Sequence, residues 1–281
     1  DAGAAASSSP ALARNGAPSL KRTVAILRFS NETNYGRGVF GGREGSPIEK
    51  QAQDLLAARL VESGVVVLVD SGASNAGSEN YAQIPADYVI VGSVSAFGRK
   101  TSSDTGVFSR TKKQVAYASV NLRLTDTASG RVVYSEEGTG EADVETGRVM
   151  GMGSDAGYDS TLNDKAISAA ISKLVSNMLE NLLDEPWQTT ILEISGNQLM
   201  IGGGAEQGLR AGMVLAVKER GRKVKNPQYG TWVEMPGTEI GQIEVVSFFG
   251  KGITGEGSMC RLLSGSLTGH PLENLVVEEI Q

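Results

Sequence analysis

Between Ala86 and Gly138 the chain reads ADYVIVGSVSAFG, then a polar insert, then QVAYASVNLRLTDTASGRVVYSEEG. In the middle of this stretch apolar and polar positions alternate. Ala116, Ala118, Val120, Leu122 and Leu124 share one face, and Tyr117, Ser119, Asn121 and Arg123 share the other. A period of two is the signature of a half-buried strand. Asp126-Thr127-Ala128-Ser129-Gly130 is turn chemistry, and the β-prone run Arg131 to Ser135 follows it. Upstream, Tyr88 to Val91 is an apolar run suited to a central strand. Three consecutive antiparallel strands are therefore expected.

Elsewhere in the first two-thirds the pattern switches between strand and helix periods. Lys21 to Phe29 is a strand candidate, and Val24 to Leu27 within it is apolar throughout, as in a strand covered on both faces. A Gly-rich loop follows, carrying Tyr35 and Phe40. Ser46-Pro47-Ile48-Glu49 then opens a helix, with Ser46 as N-cap, Pro47 at the first helical position and Glu49 completing a capping box. Ala52, Leu55, Leu56 and Leu60 form its apolar stripe, and Gly64 stops it. Val65 to Val69 returns as a strand. A second helix is expected from Asn163 to Leu183, with Ile167, Ile171, Leu174, Met178 and Leu182 on its core face and Pro186 ending the segment.

After Trp187 short β-prone segments recur between glycines: Thr189 to Ile194, Gln198 to Ile201, Met213 to Lys218, Glu239 to Phe248 and Ile253 to Cys260. Such spacing predicts a small barrel or sandwich. The expected fold class is an α/β N-terminal domain, a sheet with packed helices, over residues 21–185. A small all-β, barrel-like domain is expected over 186–281, and a flexible tether over 1–20, which is rich in Ala, Ser, Gly and Pro.

Composition narrows the function classes. The 281 residues carry a net charge of −6, which disfavours nucleic acid, because phosphate binding needs a concentrated basic surface. One Cys and one His leave no intrachain disulfide, no thiolate cluster and no Ser-His-Asp or Cys-His machinery in prospect. His270 stands alone before Pro271, where a structural role is expected. The Gly-rich run from Gly202 to Gly212 lacks the Gly-Lys-Ser/Thr ending of a phosphate loop, so tight β-turns are expected there instead. Lys218 to Lys225 is a local basic run, expected at a solvated hairpin tip. No apolar run approaches the ~18–20 residues of a membrane helix. No cofactor, no metal site and no enzymatic activity are expected.

The order VAILRFSNET, a loop, a capped helix, GVVVLVD, ADYVIVGSV, NLRLTDTASGRVVYSEEGTGEA, a Gly-rich insert and YDSTLNDKAISAAISKLV resembles the curli-secretion channel family (CsgG/HfaB). The similarity covers about Lys21 to Asp184. The stretch QLMIGGGAEQGLRAGMVLAV is similar to the C-terminal domain of flagellar assembly protein T. The first resemblance implies periplasm-side domains that form rings at the outer membrane, commonly as lipoproteins. It also implies that the loop after the first strand lines a pore constriction, which here makes Asn34, Tyr35 and Phe40 the candidate constriction residues. The family's two long hairpins correspond to the inserts Arg99–Lys113 and Glu141–Asp159. A lipid-facing strand needs ~9–11 residues with one apolar face, and neither insert has one. A ring on the membrane's face, around a partner or cargo, is expected rather than a self-made transmembrane barrel.

The function these residues imply is a homo-oligomeric ring associated with the outer membrane of the cell envelope, collaring or helping to export an extracellular fibre or appendage. A lipid anchor preceding Asp1 is the expected membrane attachment. The alternative is a monomeric envelope lipoprotein adaptor that binds and regulates a cell-wall or envelope protein.

Overall fold

The computed structural model describes residues 20–33, 47–70, 84–105, 109–149, 152–153, 161–228 and 230–280. It divides into two compact units, one formed by Arg22–Glu62 and Val66–Glu185, the other chiefly by Pro186–Gln281.

The first unit is one six-stranded sheet with two helices. The strands are β1 (Arg22–Asn31), β2 (Val66–Leu68), β3 (Tyr88–Thr105), β4 (Ser109–Asp126), β5 (Val132–Val149) and β6 (Met152–Gly153), in the order β2-β1-β3-β4-β5-β6. β1 runs parallel to both β2 and β3, and every later pairing is antiparallel. The three expected antiparallel strands are present. They are longer than their apolar cores, however, at 18 residues each. Where they are described, at 99–105, 109–113, 141–149 and 152–153, the polar inserts therefore continue the sheet.

Both helices, α1 (Pro47–Ser63) and α2 (Thr161–Asp184), tie to one another through Gln51 with Asp164 and Arg59 with Ser168. The α2 face buries Leu162, Ile167, Ile171, Leu174, Met178 and Leu182 with their small neighbours. Each large aliphatic side chain so buried contributes about 1.5–3 kcal/mol. The stripe meets the even-numbered face of β4, where Ala116, Ala118, Val120, Leu122 and Leu124 are all buried. Gly64 ends α1 at a φ of 68°, the left-handed stop its type allows. Glu49 does more than the capping pattern foretells, because its Oε1 accepts a 2.9 Å bond from the Asn31 amide at the end of β1. Ser46, the expected N-cap, lies outside the described residues.

Two glycines of β5 set how closely α2 approaches. A Cβ at Gly140 would fall on the backbone of Ala166 and Ala170, and one at Gly138 would press on Leu174 Cγ. Register places both on the row of Val120 and Ala118, facing the helix. At the other end of the sheet, Asp87 Oδ2 accepts from the Thr23 amide and hydroxyl, each at 2.8 Å. The Thr23 hydroxyl accepts from the Asp87 amide in return. Burial raises the Asp87 carboxyl above its ordinary value, against the lowering pull of these hydrogen bonds and of Arg22.

The second unit is a seven-stranded sheet. Its strands are β7 (Gln188–Thr189), β8 (Ile191–Ser195), β9 (Gln198–Gly202), β10 (Val214–Glu219), β13 (Thr238–Phe249), β14 (Gly257–Gly265) and β15 (Leu275–Glu279), ordered β7-β15-β10-β13-β14-β9-β8. Only Thr190 separates β7 from β8, which sit at opposite ends of that order, so the sheet nearly closes on itself. Between β10 and β13 a separate two-stranded ribbon, β11 (Lys223–Lys225) with β12 (Trp232–Glu234), leaves the barrel. Leu199, Ile201, Leu215, Val217, Ile243, Val245, Cys260 and Val277 fill the interior together with Trp187. Leu20 also belongs to this core at 2% exposure, although it ends the stretch expected to be a tether. Lys21 beside it donates to Gln207 O at 2.8 Å. Residues 1–19 lie outside the described residues.

The run from Gly202 to Gly212 turns as expected. Its residues Gly203, Gly208 and Gly212 have φ of 83°, 96° and 86°, around a short 3-10 turn at Ala205–Gln207. One expected strand is misplaced: β14 begins at Gly257 rather than Ile253 and runs on to Gly265. The segment Gly250–Glu256 is a turn instead, in which the amides of Gly255 and Glu256 both bond to Gly252 O. β15 was not foreseen, because a five-residue run closing on two acids carries little periodicity.

Two measurements check this packing. Gly140→Ala should destabilise the protein by about 1–3 kcal/mol, as overpacking against fixed backbone does, read by urea denaturation; an unchanged midpoint would mean that α2 does not approach β5 as described. A carboxyl whose folded pKa is raised weakens the fold once ionised. Stability should therefore fall as pH rises from its ordinary 3.8 through the raised folded value. Asp87→Asn, which keeps a carbonyl for Thr23, should remove that slope, and parallel pH profiles for the two proteins would contradict it.

Candidate functional site

The described structure gathers several features at one end of the first unit's sheet. β1 ends at Asn31, paired with Val94, and Glu32 N donates to Val94 O at 3.0 Å. Asn31 Oδ1 accepts from the Thr33 amide at 2.9 Å and hydroxyl at 2.6 Å, which fixes the start of the loop. The Asn31–Glu49 bond holds the far side of that loop, where α1 begins, to the same place. Asn34, Tyr35 and Phe40 lie between these anchors and outside the described residues. The start of the candidate constriction loop is thus placed beside β3 at Val94, under the middle of α2 and five residues before the Arg99 row.

From the Arg99 row onward the three long strands continue as an apron. Arg99, Ala116 and Ala142 form its first row, and Arg99 Nε donates to Asn163 Oδ1 at 2.6 Å, in the first turn of α2. Beyond it β3 runs six residues further, to Thr105, which at ~3.3 Å per residue is about 20 Å. Successive rows read Lys100–Val115–Asp143, Thr101–Gln114–Val144, Ser102–Lys113–Glu145, Ser103–Lys112–Thr146, Asp104–Thr111–Gly147 and Thr105–Arg110–Arg148. Among these described rows no apolar band of the kind a lipid-facing strand carries is formed. Lys113 Nζ lies 3.3 Å from Asp143 Oδ2, an exposed pair of small energetic weight. No helix among the described residues is long and apolar enough to cross a membrane, which says nothing of strands.

β5 is held firmly on its inner face and open along its outer edge. Tyr134 Oη donates to Glu136 Oε2 at 2.7 Å, and Asn177 of α2 donates to both oxygens of Glu136 at 3.0 and 3.1 Å. Burial, then the Glu136 bond, pushes the Tyr134 hydroxyl far above the ordinary phenol range. The same bonds, Tyr134 first, lower the Glu136 carboxyl. Outward, β6 covers only Arg148 and Val149. Among the described residues no strand pairs with β5 from Val132 to Gly147. On the opposite edge β2 covers only Arg22 to Val24, no described strand pairs with the outer side of β1 from Ala25 to Ser30, and the Asn31 amide is taken by Glu49.

Reactive side chains are placed apart from all this. Burial pushes the Cys260 thiol up to about 12, which keeps it protonated inside the barrel. His270 Nδ1 lies 3.0 Å from Glu219 Oε1 at the barrel surface. Among the described residues no group of three His, Cys, Asp or Glu side chains could hold a metal. The basic run Lys218 to Lys225 spans the end of β10 and the first strand of the ribbon. Sequence reasoning missed the Tyr134–Glu136–Asn177 lock and the close approach at Gly138 and Gly140. The available signal was two glycines at spacing two on the helix-facing positions of a strand.

A protein from Neisseria meningitidis serogroup B, named as a candidate lipoprotein, is 28% identical over 158 residues, 53% of this chain and 70% of its own. The solved PelC dodecamer from Paraburkholderia phytofirmans shares 25% identity over 60% of this chain and 92% of its own, with a TM-score of 0.28. A lipoprotein structure from Neisseria meningitidis shares 16% over 58% of this chain and 99% of its own, with a TM-score of 0.31. At such scores these structural likenesses carry no argument. The similarity to flagellar assembly protein T finds no counterpart among these relatives. The family model described as curli production assembly/transport component CsgG matches residues 5–210, which is most of the chain, and the protein belongs to the CsgG family.

Proposed function

We propose that this protein is a non-enzymatic envelope lipoprotein whose copies assemble laterally into a closed ring at the outer membrane, collaring or helping to export an extracellular fibre or appendage. The observation that carries the reading is that, among the described residues, β5 from Val132 to Gly147 and β1 from Ala25 to Ser30 each have a strand partner on one side alone. A strand edge presents unpaired N–H and C=O groups ready to extend a ladder. Edges on opposite sides of one sheet permit a head-to-tail contact, which closes into a ring when the rotation between copies closes. The acids of β5, Glu136, Glu137, Glu141, Asp143 and Glu145, discourage indiscriminate pairing along that edge.

Membership in a family named for assembly and transport supports the reading, and so does a relative named among lipoproteins. The anchors on either side of the loop that holds Asn34, Tyr35 and Phe40, at Asn31 and Glu49, and the polar apron belong to the same sheet of the first unit. A ring would therefore repeat them around a common axis, available to a passing chain. The apron's polarity fits a lumen or a water-facing collar better than hydrocarbon.

Electron microscopy of the purified protein at rising concentration tests this. Closed rings of uniform diameter are the expected outcome. Isolated subunits at every concentration would sink the ring and favour the monomeric adaptor.

A further inference from the structure

The ribbon of β11 and β12 is unexplained by anything above. It belongs to neither large sheet and has only three register pairs, Lys223 with Glu234, Val224 with Val233 and Lys225 with Trp232. Arg222 and Met235 continue the register through the bond from Met235 N to Arg222 O at 3.1 Å. Trp232 is 67% exposed, and Val224, Val233 and Met235 are exposed as well. Between residues 220 and 236 stand four cations, Arg220, Arg222, Lys223 and Lys225, against a single acid, Glu234. All four cations are exposed. The rest of the chain is acidic enough to bring the total to −6.

The register sorts these groups. Trp232 shares one face of the ribbon with Lys223 and Lys225, while Val224, Val233 and Met235 share the other face with Arg222. Apolar groups and cations are thus interleaved on both faces. Four exposed cations against one acid, with an exposed Trp between them, are complementary to an anionic bilayer surface. Trp prefers the headgroup level, and long cationic side chains reach back from it to lipid phosphates. A free two-stranded ribbon is marginal by itself, and an interface that takes up its apolar groups would steady it.

We propose that the β11–β12 ribbon is a membrane-contact element that docks on a bilayer surface rich in anionic phospholipid, with Trp232 seated among the headgroups and Arg220, Arg222, Lys223 and Lys225 on their phosphates. This contact is independent of ring closure, and it is separate from any acyl group that precedes Asp1. It gives the second unit its own task, which is to set that unit against the membrane.

The test uses the 281-residue chain without acyl modification, mixed with vesicles of phosphatidylglycerol and phosphatidylethanolamine or of phosphatidylcholine alone. Flotation and tryptophan emission are read at low and high salt. Trp187 is 1% exposed, so a change in emission reports Trp232. Binding to the anionic vesicles should move the emission to shorter wavelength and weaken as salt rises. Trp232→Ala, and separately Lys223→Glu with Lys225→Glu, should each weaken binding by about tenfold or more. These exposed positions leave the barrel core untouched, and circular dichroism should confirm an unchanged fold. No binding to anionic vesicles at low salt would overturn the proposal. Equal binding to both vesicle types, or binding unaltered in both variants, would overturn it too. Recovery of an acidic protein on the ribbon without any vesicle binding would assign it to a protein partner instead.

Discussion

The pairing of β4 with its two neighbours is the constraint on which the first unit rests. Seventeen residues of β4 find partners on β3, and seventeen on β5, in one nearly continuous register. Such a ladder fixes which side chains face α2, because a slip of one residue would turn every one of them to the other face. The alternation from Ala116 to Leu124 makes only one register acceptable, and the glycines at 138 and 140 make only one helix approach possible. Once those are set, the polar continuations of the same strands have no freedom to wander. They leave the core as an apron because the ladder carries them there.

This arrangement separates stability from contact. What holds the unit is covered: the aliphatic stripe of α2, the even face of β4, and the Tyr134–Glu136–Asn177 bonds. What remains for other molecules among the described residues is backbone edge and polar strand. No described side chain is poised as a nucleophile or a metal ligand, and the thiol is buried in the barrel. The proposed function rests on those surfaces.

Much of the fold was legible because its signals were local and redundant. The β4 alternation, the turn at Asp126 to Gly130, the Pro47 start and the Gly64 stop each name an element on their own, and they agree. The β1–β2–β3 parallel arrangement follows from a strand, a helix and a strand in sequence. The apron was harder to read. Arg99 to Thr105 and Ser109 to Lys113 have neither period nor apolar face, and only the neighbouring ladder makes them strands. The turn at Gly250 to Glu256 and the late start of β14 were hidden for the converse reason, since Ile253 looks β-prone by type. The basic run was expected at a hairpin tip, but it spans the end of β10 and the strand β11, with the tip beyond Lys225. The ribbon's character as a mixed aromatic and cationic surface was not legible, because Trp232 joins the lysines only through the register. The candidate loop residues Asn34, Tyr35 and Phe40 rest on resemblance, and the structure fixes only the anchors on either side of them.

The central claim is that the open edge of β5 belongs to another copy of the same chain. Hydrogen–deuterium exchange over residues 132–147, compared between dilute and concentrated protein, tests it most directly. If copies meet along that edge, its amides should exchange markedly more slowly in the concentrated sample, while peptides in the barrel core stay unchanged. Equal exchange at both concentrations would contradict the account.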